Sequence, residues 1–187
     1  GRFGLGLKTA SLSQCRQLTV LSRNGTHESA AQWDLDVVDA KNDWLLLRLS
    51  SADRAGLPFA KELCEVGTAV IWKKLDRLTE NEKTSILQKT INTKIDRLNN
   101  HLSLVFHRYL SGEVPGHRKL SISINNRIVE PFDPFMRGHP ATQALPEEIL
   151  KVGTSRVSMQ PFVLPHHSKL TGEVLSRYKD RSEFVAN

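Results

Sequence analysis

Cysteine is nearly absent from these 187 residues. Cys15 and Cys64 are the only two, they form no Cys-x-x-Cys, and no histidine stands beside them at ligand spacing. That excludes a disulfide framework or a structural zinc site and fits reduced thiols in the cytoplasm. Long apolar runs are missing as well. None is longer than Trp44 to Leu47, against the roughly 20 residues a membrane-spanning helix needs, so no membrane is expected as partner. No leader pattern opens the chain, and it has no initiator methionine. No dense run of one charge occurs: the net +6 is spread along the chain, a mildly basic surface that leaves nucleic acid open as a partner. Gly-x-Ser-x-Gly is absent, which removes a hydrolase elbow. His166-His167 has no carboxylate or cysteine at usable spacing, so no metal site is assigned.

What is present suits a soluble domain and a half. Hydrophobic residues make up 39% and charged residues 25%. A short helix is expected over 7–14, then strands over 17–23 and 27–38 joined at Asn24-Gly25, a pair suited to a type I′ turn. Trp33 and Leu35 should share a face of the second strand. Further strands are expected over 44–49, buried on both sides, and over 67–75. Trp33, Trp44 and Trp72 then read as core or interface aromatics.

Thr79 with Glu82 fits a capping box. Beyond it Leu87, Ile91, Ile95, Leu98, Leu102, Val105 and Tyr109 recur at steps of three and four, predicting one long amphipathic helix at about 80–111. A hairpin over 119–130 turns at Asn125-Asn126. Pro131, Pro134 and Pro140 keep the chain irregular to about 152, and a last strand runs 156–164 until Pro165. A first domain should close near residue 112, with a second over 113–187.

The segment with chemistry is Gly1-Arg2-Phe3-Gly4-Leu5-Gly6-Leu7-Lys8-Thr9-Ala10-Ser11. Glycines let backbone amides turn toward an anion with no Cβ in the way, and a helix starting there adds free N–H groups. A P-loop fits poorly, because Leu7 separates Gly6 from Lys8-Thr9 and rotates the lysine about 100° around the helix. A Rossmann fingerprint fails, since no glycine follows Gly4-x-Gly6 at the third place.

This glycine box resembles the second glycine box of the GHKL ATPases (gyrase, heat-shock chaperone, histidine kinase, MutL), in the form found in chaperones, microrchidia-type ATPases and bacterial ATP-binding proteins. Gly67-Thr68 opening an apolar strand resembles that family's distal Gly-Thr box. Ile124-Asn125-Asn126-Arg127 with Val129-Glu130-Pro131-Phe132-Asp133-Pro134-Phe135 resembles a hairpin and Pro-Phe segment that follow the ATPase domain.

The resemblance implies an α+β fold: the distal part of a two-layer Bergerat-type sandwich, then the start of a transducer-like α/β domain. It implies ATP as ligand, the amides of Gly4, Leu5, Gly6 and Leu7 on its phosphates, Arg2 and Phe3 at a lid hinge, and Lys8 beside the phosphates. Thr68 would bond adenine, and Lys169 would be the catalytic lysine reaching the γ-phosphate, although a solvated loop lysine reads the same in sequence. It further implies a homodimeric clamp driven by ATP.

The family's catalytic Glu, its Mg²⁺-binding Asn and its adenine-reading Asp-x-Gly-x-Gly have no counterpart here; no Asp-x-Gly occurs. They are expected upstream in a longer protein, and this chain alone is expected to hydrolyse no ATP. The alternative is a non-enzymatic nucleic-acid or protein interaction module whose glycine box is vestigial.

Overall fold

The computed structural model describes residues 6–76 and 84–179, and it is mixed helix and sheet, α+β. The chain packs as two compact units, Gly1–Leu87 and Gln88–Asn187. The boundary expected near 112 lies inside the second unit.

In the first unit α1 (Gly6–Leu12) leads into β1 (Gln17–Asn24) and β2 (His27–Asp34). Then come α2 (Leu35–Lys41), β3 (Leu47–Arg48), α3 (Ser51–Ala55) and β4 (Val66–Lys73). The sheet is antiparallel in the order β3-β2-β1-β4, so β1 is central and β4 an edge. Side chains alternate between faces, and directly paired residues share one. On one face Leu21, Ala30 and Ala69 pack with Leu49, Leu57, Ala60 and Leu63. Leu18 and Leu21 are fully buried, each worth about 1.5–3 kcal/mol. Arg23 ties the covering segment down, donating to the carbonyls of Ala60 and Leu63 and to Glu28, which Arg54 also grips.

Three expectations need correction here. The first hairpin turns on Gly25-Thr26, because Asn24 is already paired with His27 and only Gly25 takes positive φ (59°). Strand β2 stops at Asp34, whose carboxylate accepts from the Asp36 amide and caps α2, so Leu35 starts a helix and does not share a strand face with Trp33. The buried strand expected over 44–49 is a two-residue edge strand, with Trp44 65% exposed. Apolarity alone did not bury it, since β3 pairs only with Ala31 and Gln32.

The second unit carries most of α4 (Thr84–Val105), then α5 (His107–Ser111), β5 (Ser123–Ile124) and β6 (Arg127–Ile128). There follow β7 (Gln143–Ala144), β8 (Glu148–Val152), β9 (Ser155–Met159), β10 (Phe162–Val163), a 3₁₀ turn (His167–Lys169) and α6 (Gly172–Lys179). The single long helix is in fact kinked at Phe106 (φ −99°, ψ 12°), where the His107 ring bonds the Leu104 carbonyl. The expected capping box, Thr79 and Glu82, lies outside the described residues. Leu110, Val129, Phe132 and Met136 are the second unit's buried hydrophobic side chains among the described residues. The Phe132 amide donates to the Ser103 carbonyl, and Tyr178 donates to the Asp133 carbonyl, with its ring 4.5 Å from that of Phe132.

The Asn125-Asn126 turn forms as read, both residues holding the positive φ of a type I′ turn, but the hairpin expected over 119–130 is shorter, with paired strands of two residues each. The stretch expected to stay irregular to 152 contains β7 and all of β8. The strand expected over 156–164 is two strands: Pro161 has no N–H for a ladder, so β9 pairs with β8 and β10 with β7.

Candidate functional site

Helix α1 stands on the sheet face opposite the Leu21 core. The rows of that face follow from the register: Leu18, Trp33 and Trp72; then Val20, Ala31 and Val70; then Ser22, Ser29 and Thr68. The Lys8 ammonium lies 5.2 Å from the centre of the Trp33 ring, a cation–π contact. Ser11 and Cys15 are buried, and Cys15 Sγ donates to the Ser11 carbonyl, so α1 is seated by its small residues.

Gly6 begins this helix in open space. A Cβ built on it meets no atom of the described residues within 4 Å, and its φ is not positive. Leu7 beside it is half exposed. Arg2, Phe3, Gly4 and Leu5 lie outside the described residues. Gly67 differs: a Cβ there would stand 3.0 Å from Leu63 Cδ1, so packing accounts for that glycine.

Thr68 is exposed on β4, and its hydroxyl lies 3.2 Å from that of Ser22. Thr68 and the Lys8–Trp33 contact therefore share a sheet face, separated by four residues of strand, about 13 Å. A cavity of about 490 Å³ borders the same rows, lined by Val20, Ser22, Ser29 and Ala31 with Arg48 and Arg54. Composition had not pointed to it. The signal was the small residues Ser22, Ser29 and Ala31 repeating at alternate strand positions, which leave room above the sheet.

The carboxylates of the sheet are engaged. Hydrogen bonds from Arg23, reinforced by Arg54, hold the Glu28 carboxyl below its ordinary range. Burial pushes the Asp34 carboxyl up, but bonds from Gln17, Lys74 and the Asp36 amide outweigh it and leave it low. Lys74 is raised by Asp36 and Asp34, and Arg16 clasps Asp36 and Asp39. These pairs pin α2 to the sheet and leave neither Glu28 nor Asp34 placed as a base.

Lys169 stands in the 3₁₀ turn of the second unit, exposed. His166 and His167 stack at 4.0 Å, with His166 Nδ1 bonded to Ser168. Among the described residues no group of three or more His, Cys, Asp or Glu could hold a metal ion, so no Mg²⁺ ligand is assigned. None of the helices described is long and apolar enough to cross a membrane.

The family described as Histidine kinase-, DNA gyrase B-, and HSP90-like ATPase matches residues 1–63, about a third of the chain. That stretch contains α1, β1, β2 and the segment covering the sheet core, and ATP binding is what the family implies. No curated protein and no solved structure gives a significant match.

Proposed function

We propose that the first unit is part of the ATP pocket of a GHKL-type ATPase, of Bergerat sandwich architecture, and that the protein works as an ATP-driven switch or clamp. The observation that carries this reading is Gly6: among the described residues nothing gives it a packing or conformational reason to be glycine, whereas a phosphate approaching its amide does. The amides of Gly4, Leu5, Gly6 and Leu7 would receive the phosphates, with Arg2 and Phe3 at the hinge of a lid.

Lys8 would leave the Trp33 ring for the phosphates, where a full negative charge outweighs a ring quadrupole worth about 0.5–2 kcal/mol. Adenine would lie over the small-residue rows, with the hydroxyls of Thr68 and Ser22 as its polar contacts. When bound, the nucleotide supplies the γ-phosphate whose presence or loss switches the state. Lys169 is the residue proposed to reach it. Mg²⁺ would come with the nucleotide, and a homodimer closed by ATP is the expected assembly.

The test is calorimetry of Mg·ATP binding to the native protein that carries this chain. Gly6→Val should abolish the binding while circular dichroism stays unchanged, because the side chain enters open space and only blocks the amide. Undiminished affinity in that variant would remove the phosphate site from α1.

A further inference from the structure

The second unit holds a groove that the nucleotide reading does not use. It has a volume of about 660 Å³ and runs between α4 and the β5–β6 hairpin. Asn92, Asp96 and Asn99 recur at steps of four and three and so share one face of α4. Across from them stand Asn125 and Arg127, held at the hairpin tip by the two left-handed residues of the turn. Ile95, Ile124 and Ile128 supply the apolar lining.

These polar groups are unspent. The side chains of Asp96, Asn99, Asn125 and Arg127 make no hydrogen bond or ion pair among the described residues. Asn92 accepts from Gln88 at its oxygen, which leaves its amino group free to donate. The groove falls in the size range of ligand sites, about 300–1,000 Å³, and its polar groups converge on it, although its lining is more polar than most.

The chemistry selects the ligand. Among the lining residues one cation and one anion balance, so they offer no cluster of like charge for the phosphates of a polyanion. None of the residues lining it is aromatic, so a nucleobase has no ring to stack on. Three carboxamides, each with two donors and an acceptor, match the N–H and C=O groups of an extended peptide main chain. Arg127 suits a carboxylate side chain, Asp96 a cationic one, and the isoleucines an aliphatic one between them.

We infer that this groove binds an extended peptide segment, its main chain held by Asn92, Asn99 and Asn125, with an aliphatic residue flanked by one acidic and one basic side chain.

The experiment pans a phage library of random short peptides against the full chain, then resynthesises enriched peptides and titrates them by fluorescence polarisation. Enriched sequences should carry acidic and basic residues about an aliphatic one. Arg127→Glu and Asp96→Lys should each weaken binding about tenfold or more, the loss of one charge-assisted contact, with unchanged circular dichroism because both sites are exposed. The double exchange should recover affinity for a peptide with its charges reversed. Absence of enrichment, peptides that bind both single variants undiminished, or displacement of the peptide by a single-stranded oligonucleotide would each overturn the assignment.

Discussion

Gly67 and Gly6 are glycines for different reasons, and the difference decides how each is used. Gly67 makes room for Leu63; Gly6 makes room for nothing among the described residues. Both stood out in the sequence as parts of glycine motifs, the one around Gly6 the more specific, and the surroundings now give the physical reason for each. Asp34 was not legible at all. It reads as a strand residue, yet it ends β2, caps α2 and holds Lys74. Its folded carboxyl titrates below the unfolded value of about 3.9. Its contribution is therefore present above that value and lost as pH falls through the lower folded one. Asp34→Ala should lower the stability of the first unit by about 1–2 kcal/mol at neutral pH, and the gap from wild type should close below about pH 4. Asp34→Asn should keep most of the cap. Urea melts followed by tryptophan fluorescence check this directly, since Trp33, Trp44 and Trp72 all lie in that unit.

The elements emerged from the sequence in proportion to how far local chemistry decided them. Alternation placed β1, the apolar run after Gly67-Thr68 placed β4, and Asn125-Asn126 placed its own turn. The stripe on α4 marks an amphipathic helix, but a helix period says which face is apolar and not what covers it. Leu98 is 48% exposed, while Leu110, past the kink, is 3% exposed. Leu98→Ala should shift stability by no more than about 0.5 kcal/mol, and Leu110→Ala should cost about 2–4 kcal/mol. The helical signal at 222 nm in a denaturant series separates the two, and equal effects would mean that Leu98 is buried.

For the molecule as a whole, the glycine box and the Gly-Thr strand were visible as motifs, whereas the shared sheet face that relates them came only from strand register. Register sums many pairings and is not written in any one residue. The engaged carboxylates carry a prediction at this scale. With Glu28 held by Arg23 and Arg54, and Asp34 by Lys74, neither carboxylate of the described sheet is free to orient a water. Phosphate release from Mg·ATP by the 187-residue chain should stay at the buffer rate, and Mg²⁺-dependent turnover by the chain alone would show that a base has been missed.

The central claim is that nucleotide lies on the α1 side of the first unit's sheet. It is tested most directly by titrating the isotopically labelled native protein with a non-hydrolysable ATP analogue and following amide resonances. The account predicts saturable shifts at Gly6, Leu7 and Lys8, at Ser22 and Thr68, and at the Trp33 indole as Lys8 leaves its ring. Saturable binding whose shifts spare all of these and gather in the second unit would contradict it.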